Sequence, residues 1–362
     1  MSSRARHVLL YGATGYTGRL VIDALLARGV EPILAGRRAD TIARLADARG
    51  LAWRAFPLED SRRVAASLDE VAVVLNAAGP FSATAAPLVN ACLARGAHYL
   101  DLSGEAEVLA AIAERNAEAL AAGVMLLPAV GFDVVPSDAL AAHLARRMPD
   151  ARRLTIAITG LDLVSRGSAR STVAMMSQPL RIRREGRVIE RPQLSMERVF
   201  DFGEGRSINT TALSWGDVIT AHHTTGIPDI TTYVDANAAL WMHNAMVRTF
   251  GESATRAFGQ LLLRAGWQRS LAAAVELLPE GPSPEERARH HAVIVAEVED
   301  ARGRILRARL RTPEVYSVTA TLAAAIVARV LDGIAVPGFQ TPARVLGADF
   351  VLTIPGVTRV DL

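Results

Sequence analysis

The sequence contains no lysine and a single cysteine among its 362 residues. Without lysine, the chain cannot form a Schiff base with a carbonyl substrate or anchor pyridoxal phosphate. It also cannot carry a Walker A phosphate loop or the Tyr-x-x-x-Lys pair of many dehydrogenases. The single cysteine, Cys92, excludes an intramolecular disulfide and any metal site built from several cysteines. Several common enzyme classes are therefore excluded before any motif is considered.

Long apolar runs are missing too. The longest run near the end, residues 322–336, is interrupted by Arg329 and Asp332, so no membrane span is predicted. The apolar run after Arg4 and Arg6 is too short for a signal peptide, and we therefore expect a cytoplasmic protein. Neither H-E-x-x-H nor G-x-S-x-G occurs, so no metal site and no common hydrolase site are predicted.

The composition is that of a folded, globular protein. Hydrophobic residues make up 50% of the chain and charged residues 21%. Arginines are scattered among acidic residues and the net charge is only +3, so nucleic-acid binding is not expected. A chain of 362 residues exceeds one ordinary core, which favours two domains.

A glycine-rich turn near the N-terminus is the strongest motif. A short apolar run, residues 7–11, enters the turn, and the residues that leave it have helical spacing. In this context the first glycine allows a tight turn, the second lets a pyrophosphate approach backbone amides, and the third lets the helix pack closely. The alternative is a glycine-rich turn without a ligand. We expect a dinucleotide site that includes Gly12, Thr14, Gly15, Tyr16, Thr17 and Gly18.

The strand–helix alternation continues to about residue 150 and predicts a doubly wound, Rossmann-type parallel sheet. Its strands are predicted over 7–11, 32–36, 51–56, 71–76, 97–102 and 124–130. From Arg152 onward, short strands separated by turns predict a second α/β domain with a mixed or antiparallel sheet. Those strands are expected at 154–159, 171–176, 186–190, 207–211 and 217–224, followed by a helical region over 235–278.

The last part of the chain is predicted to hold a hairpin and helices. Residues 291–298 and 304–310 alternate well enough to form one hairpin, and helices are expected over 315–331 and after Pro342. The predicted domains are therefore 1–150 for the dinucleotide, 151–312 for substrate or dimerisation, and 313–362 as helices that pack back on the first domain.

The end of the second strand indicates which dinucleotide binds. In such sheets ligands bind outside the carboxyl ends of the strands, and an acidic residue after strand two usually binds the ribose of NAD. Here Arg37 and Arg38 follow the strand with no acid beside them, which favours the 2′-phosphate of NADP. One of the two could instead be an ordinary solvated arginine. Asp60 falls where the adenine edge would lie, or else it caps the next helix.

The turn after the fourth strand offers a side-chain amide and exposed backbone. We expect it to border the nicotinamide ribose, through Asn76, Ala77, Gly79 and Pro80. The alternative interpretation is a plain strand–helix turn.

Side chains at the later strand ends are candidate proton donors for a hydride-transfer reaction. They are Tyr99, Asp101, Ser103, Glu105, Asp133 and Ser137. Tyr99 and Asp101 share one face of a strand, and a carboxyl in an apolar strand needs a partner or a raised pKa. We select Tyr99, Asp101 and Asp133 as candidate catalytic residues. The alternatives are hydrogen bonds to loop amides for Asp101 and helix capping for Asp133.

Several of these stretches together resemble the saccharopine dehydrogenase-like family, closest to its bacterial branch that includes trans-acting enoyl reductases. The stretches are Tyr11-Gly-Ala-Thr-Gly-Tyr-Thr-Gly18, Ala35-Gly-Arg-Arg38, Leu75-Asn-Ala-Ala-Gly-Pro-Phe81, His98-Tyr-Leu-Asp-Leu-Ser-Gly-Glu105, Gly131-Phe-Asp-Val-Val-Pro136 and Gly338-Phe-Gln-Thr-Pro342. The resemblance implies an NADP-binding Rossmann domain, a second α/β domain and the reduction of a C=N or C=C bond. Cofactor roles carry over to Gly12, Gly15, Gly18 and Arg37; no catalytic role does.

We therefore hypothesise that the protein is an NADPH-dependent oxidoreductase that acts on a small-molecule substrate. The sequence is compatible with a homodimer. The alternatives are a redox sensor or regulator that binds NADP without turnover, and a scaffold with an unused fold. The absence of the Tyr-x-x-x-Lys pair keeps the regulator open.

Overall fold

A computed structural model describes residues 7–176, 178–203, 205, 207–235 and 279–362, without the side chains of 173–176. The helical region predicted over 235–278 lies outside the described residues except for Asp235. Among the described residues, no helix combines the length and the apolar character needed to cross a bilayer.

The first sheet is fully parallel and has seven strands in the order β15-β6-β5-β4-β1-β2-β3. Its central strands are continuous apolar runs because helices cover both faces. The strands are β1 (His7–Tyr11), β2 (Pro32–Gly36), β3 (Trp53–Ala55), β4 (Val71–Asn76), β5 (His98–Asp101), β6 (Met125–Leu127) and β15 (Gly338–Phe339). The predicted Rossmann-type parallel sheet is confirmed.

Seven helices alternate with the first six strands and lead to the second sheet. They are α1 (Tyr16–Leu26), α2 (Ala39–Asp47), α3 (Ser61–Ala66), α4 (Phe81–Arg95), α5 (Ala106–Glu114), α6 (Asn116–Ala122) and α7 (Val135–Arg147). Their apolar faces and the buried strands form one core, in which Val8, Leu9 and Leu10 of β1 are fully buried.

The second sheet is mixed, with nine strands. Its main order is β10-β11-β12-β7-β13-β14-β16, and a hairpin of β8 and β9 joins it at β12. Only β7 and β12 pair in parallel among these strands. The strands are β7 (Ala151–Thr159), β8 (Leu180–Arg184), β9 (Arg187–Arg191), β10 (Glu197–Asp201), β11 (Ser207–Ala212), β12 (Asp229–Asp235), β13 (His291–Asp300), β14 (Ile305–Pro313) and β16 (Thr358–Asp361). The predicted second domain with a mixed sheet is confirmed.

The remaining helices connect the two sheets. They are α8 (Arg166–Met176), α9 (Asp217–Thr225), α10 (Pro284–Arg289), α11 (Val315–Leu331) and α12 (Pro342–Leu346), with a 3-10 turn over Phe350–Thr353. Helix α11 packs against α1. The tail contributes β15 to the first sheet and β16 to the second. The domain boundaries drawn at 150 and 312 stay predictions.

Two predicted strands are wrong. Residues 171–176 belong to α8 and residues 217–224 to α9. The β-branched and polar residues of these two stretches favour a strand locally. However, α9 is buried against α7, and it ends at Gly226, which adopts a left-handed φ of 75°. Tertiary packing therefore overrides the local preference. His222 and His223 consequently lie on a helix and not on a strand.

Candidate functional site

The glycine turn has the geometry that a pyrophosphate needs. Gly12 has a φ of 89°, and a Cβ there would lie 2.8 Å from the backbone of Ala77 and Ala78. A Cβ on Gly18 would lie 2.3 Å from the carbonyl oxygen of Gly12. Gly15 precedes α1, whose first amides have no partner within the helix. The turn therefore fits a dinucleotide through backbone atoms.

The side chain of Tyr16 takes a different role from its backbone. Its hydroxyl donates to the carbonyl of Pro282 (2.6 Å) and accepts from Arg287 Nη1 (2.7 Å). Nearby, Arg19 forms an ion pair with Glu280. The segment 279–283, before α10, therefore lies over the first turn of α1. The backbone amide of Tyr16 is still available to a cofactor, while the Tyr16 hydroxyl binds this segment.

Arg37 and Arg38 lie exposed after β2, at the carboxyl end of the sheet. Within the described part of the chain, neither side chain makes an ion pair or a hydrogen bond, so both are available to a phosphate. Burial raises the pKa of Tyr11 to about 12, and the positive charge of Arg37 opposes this rise. Asp60 caps α3, accepting a hydrogen bond from the Arg63 amide at 3.0 Å. The alternative interpretation of Asp60 is therefore observed, and its contact with adenine stays a prediction.

A buried hydrogen-bond network supports the turn after β4. Asn76 accepts from the Ala78 amide (3.0 Å) and donates to Tyr99 Oη (3.2 Å). Tyr99 in turn donates to Asp101 Oδ2 (2.9 Å), and Asp101 Oδ1 accepts from the amides of Ser103 and Ala129. The network joins the ends of β4, β5 and β6, so it shapes the floor beneath the site.

This network corrects the expected role of two residues. Tyr99 and Asp101 are both completely buried, and neither borders the cavity described next. Burial raises the pKa of Asp101 to about 6, while hydrogen bonds from Ala129, Ser103 and Tyr99 oppose the rise. Because their polar atoms are used inside the protein, these residues do not fit direct proton donation to a substrate. The alternative stated for Asp101, hydrogen bonds to loop amides, is observed.

A cavity of about 260 Å³ opens at the carboxyl ends of β4, β5 and β6. It lies beside the predicted cofactor turn, because Thr17, Ala77 and Gly79 line it. It is also bordered by residues 161–172 and by the start of α11. Most of its wall is apolar, and no arginine or histidine is among its described lining residues. The larger apolar side chains in the wall are Phe81, Leu102, Phe132, Leu161, Leu213 and Val315.

Glu105 is one of two carboxyls among the described residues that line the cavity. It accepts hydrogen bonds from the amides of Phe81 (3.0 Å) and Ser82 (3.1 Å), the first residues of α4. Ser171 of α8 also donates to it at 3.3 Å. A carboxylate is stabilised at a helix N-terminus. Glu105 therefore links the start of α4 to α8.

Asp133 is the second carboxyl and differs from Glu105 in its surroundings. Burial, with the charge of Glu105 as a second cause, raises the pKa of Asp133 to about 7. Its carboxyl makes no hydrogen bond with any described residue, and helix α7 has no side-chain cap, so the capping alternative is not observed. Only its backbone carbonyl is engaged, by the indole N–H of Trp215. Asp133 thus presents a carboxyl that keeps its proton to a higher pH than an ordinary aspartic acid does.

Tyr316 and two serines form a hydroxyl cluster in the same wall. The hydroxyl of Tyr316 accepts from the Ser165 amide (2.6 Å) and lies 2.8 Å from Ser168 Oγ. Ser165 also caps α8, since its Oγ accepts from the Ser168 amide at 3.1 Å. Sequence reasoning missed this cluster, because residues 171–176 of α8 are predicted as a strand and no local pattern indicates that the start of α11 packs beside the start of α8.

No metal site is built from these side chains. Within the described ranges, no three residues among His, Cys, Asp and Glu are placed to hold an ion.

Comparison with known proteins identifies the N-terminal part of the chain. The sequence profile of the saccharopine dehydrogenase NADP binding domain matches residues 8–127. A trans-acting enoyl reductase of Mycobacterium ulcerans is 34% identical over 195 residues, which are 50% of this chain and 46% of that protein. The saccharopine dehydrogenase-like oxidoreductase of Homo sapiens is 30% identical over 155 residues, 37% and 36% of the two chains. The chain spans less than half the length of these curated relatives.

A solved structure has a similar fold. Saccharopine dehydrogenase (L-Glu forming) from Saccharomyces cerevisiae aligns with a TM-score of 0.63 and 14% identity, over 98% of this chain and 99% of that one. The resemblance inferred from the sequence motifs is confirmed, as is NADP as the cofactor of this domain family.

Proposed function

We propose that this chain, whose residues 8–127 form an NADP-binding domain of the saccharopine dehydrogenase type, is an NADPH-dependent reductase of a conjugated C=C bond in an apolar substrate. The observation that carries the proposal is the cavity wall, which is mainly apolar and has no arginine or histidine among its described residues. An imine of the amino-acid type carries carboxylates, and these need cationic partners when they leave water. The wall therefore favours a C=C over a C=N substrate, and the name of the mycobacterial relative agrees with this choice.

The residues around the cavity divide into a cofactor side and a substrate side. The amides at the start of α1 would hold the pyrophosphate, and Arg37 and Arg38 the 2′-phosphate. The turn at residues 76–80 would border the nicotinamide ribose, and its residues Ala77 and Gly79, which line the cavity, would then lie beside the reactive ring. When bound there, NADPH supplies the hydride.

Reduction also needs a proton, and we propose that Asp133 gives it. A hydride added to the β-carbon of an enoyl group moves the electron pair of the double bond toward the carbonyl, and a proton must then reach the α-carbon. Asp133 lines the cavity, and its pKa of about 7 keeps a proton available at neutral pH. We assign it as the general acid.

The test is NADPH oxidation by the purified protein with two substrate sets. One set contains trans-2-enoyl thioesters of increasing chain length, with the saturated thioesters as matched controls. The other contains 2-oxo acids mixed with amino acids, which form carboxylate-bearing imines. We expect oxidation and a saturated product with the enoyl thioesters alone. Turnover only with the imine set would overturn the C=C assignment, and NADPH binding without turnover in either set would indicate the regulator.

A further inference from the structure

The hydroxyl of Tyr316 is held at the cavity by atoms from two distant segments. Its own backbone amide donates to Glu314 Oε1 (2.9 Å), which caps α11, so the residue is fixed at the start of that helix. Its hydroxyl meets the start of α8 through Ser165 and Ser168. All three residues of this hydroxyl cluster line the cavity.

The hydrogen bonds in the cluster can leave one proton over. A phenol oxygen accepts two hydrogen bonds and donates one. Tyr316 accepts from the Ser165 amide and can accept from Ser168 Oγ, while Ser168 can in turn accept from Ser165 Oγ at 3.1 Å. In this arrangement both serine hydroxyls use their protons inside the cluster. The proton of Tyr316 is then the one free to face a ligand.

We infer that the hydroxyl of Tyr316 donates a hydrogen bond to the carbonyl oxygen of the substrate and stabilises the charge which that oxygen gains during reduction. The inference rests on the proposed reduction of a conjugated C=C bond. Two further observations support it: burial raises the pKa of Tyr316, so it stays a donor at neutral pH, and Asp133 lies close enough to influence that pKa.

The two residues then have complementary tasks. The hydride forms the new C–H bond at the β-carbon, the C=C electron pair moves to the α-carbon and carbonyl oxygen, and the proton of Asp133 forms the second C–H bond at the α-carbon. The hydrogen bond from Tyr316 is strongest while the oxygen is negative, which lowers the barrier without a net transfer of its proton. The products are the saturated thioester and NADP⁺.

The test compares Tyr316→Phe with Tyr233→Phe. The first variant keeps the ring and removes the hydroxyl; the second removes a buried hydroxyl of β12 that does not line the cavity. We expect Tyr316→Phe to lower kcat on the best enoyl thioester by about 10²- to 10³-fold, with NADPH affinity unchanged, and Tyr233→Phe to leave kcat unchanged.

A spectroscopic measurement separates this role from a structural one. In the complex with NADP⁺ and an enoyl thioester, no hydride is available, and the infrared carbonyl band reports the hydrogen bond directly. In the wild-type complex, the carbonyl band of the thioester should lie at a lower frequency than that of the same thioester in water-free solvent. This shift should be lost in Tyr316→Phe. If wild type reduces enoyl thioesters while the variant keeps both its kcat and the shifted band, this inference is overturned and the proposed function stands. If wild type fails to reduce them, the proposed function itself fails.

Discussion

The ring of Tyr16 packs edge-on against the ring of Tyr316, with ring centroids 5.2 Å apart and planes at 88°. Tyr16 belongs to the turn that would hold the pyrophosphate, and Tyr316 to the hydroxyl cluster of the cavity. Edge-to-face aromatic pairs contribute about 0.5–1.5 kcal/mol beyond burial. The cofactor turn and the substrate cavity are therefore joined by a direct contact between residues from opposite ends of the chain.

Arg287 of α10 holds both the ring of Tyr16 and the segment 279–283, and loss of its side chain should weaken cofactor binding. Arg287 donates to both Tyr16 Oη (2.7 Å) and the Pro282 carbonyl (3.0 Å). Arg287→Ala removes both hydrogen bonds; the one to Tyr16, which belongs to the cofactor turn, is worth about 1 kcal/mol, so NADPH affinity should fall by about fivefold. Isothermal titration measures this, with Arg289→Ala on the exposed side of the same helix as control. Equal affinities in both variants would show that the segment does not influence the turn.

Arg37 should determine the choice between NADPH and NADH. A charge-assisted hydrogen bond is worth about 1.5–3 kcal/mol, so Arg37→Ala should weaken NADPH binding by about 10- to 150-fold. NADH lacks the 2′-phosphate, and its affinity should change little. Arg28→Ala, exposed beyond the end of α1, is the control, and Arg38→Ala shows whether the second arginine shares the phosphate. The NADP assignment of Arg37 fails if both cofactors lose affinity equally.

The rate of reduction should decrease as pH rises through the pKa of Asp133. Only the protonated carboxyl can donate, and its pKa is about 7. At higher pH, kcat/KM should therefore fall by about tenfold per pH unit. Asp133→Asn should lower the rate by about 10²- to 10⁴-fold, and its remaining kcat/KM should no longer decrease as pH rises. The exposed Asp332→Asn variant should keep the pH dependence of the wild type. If kcat/KM of Asp133→Asn still decreases at high pH, the titrating group is another residue.

Tyr99→Phe should affect stability and leave the chemistry largely intact. The change removes one buried hydrogen bond from Asn76 and one from Asp101, which costs about 1–3 kcal/mol in the free energy of unfolding. Because Tyr99 does not border the cavity, kcat per folded molecule should stay close to wild type, opposite to Tyr316→Phe. Urea unfolding and steady-state kinetics measure the two effects. A kcat loss with unchanged stability would return Tyr99 to the catalytic residues.

Asp217 should make the protein less stable as pH rises toward neutral. It is fully buried in α9, and neither of its oxygens has a partner at hydrogen-bond distance among the described residues; the Ser137 hydroxyl donates to the carbonyl of Val134. Burial, with the charges of Asp138 and Asp133, raises the pKa of Asp217 well above its ordinary value. The folded state therefore binds more protons than the unfolded state above about pH 4, and the free energy of unfolding decreases with rising pH.

Asp217→Asn removes the ionisable group at nearly constant shape. Its melting temperature relative to wild type should increase as pH rises from about 4 toward neutral. The exposed Asp332→Asn variant should show no such trend. A difference between Asp217→Asn and wild type that does not change with pH would mean that Asp217 ionises normally in the folded protein.

Features encoded in contiguous residues could be predicted from the sequence. The glycine turn and the first six strands of the parallel sheet follow from local periodicity and from the backbone angles that only glycine adopts easily. The helix predicted over 315–331 has the bounds that the structure shows, because its apolar spacing is continuous and Glu314 caps it. The hairpin of β13 and β14 could also be predicted, because apolar residues alternate along both strands.

The site could be predicted only in part, because burial depends on segments that meet through folding. Tyr99, Asp101 and Asp133 look alike as strand-end polar residues, yet the first two are enclosed by neighbouring loops and only Asp133 reaches the cavity.

By itself, the sequence determined an NADP-binding Rossmann domain followed by a mixed-sheet domain, since short-range patterns specify strands, helices and the phosphate turn. Only the tertiary structure decided which carboxyl faces the cavity, that residues 171–176 and 217–224 are helical, and that Tyr316 stands beside Ser165 and Ser168. The physical reason is that desolvation and long-range packing act on groups distant in sequence, and no local pattern records them.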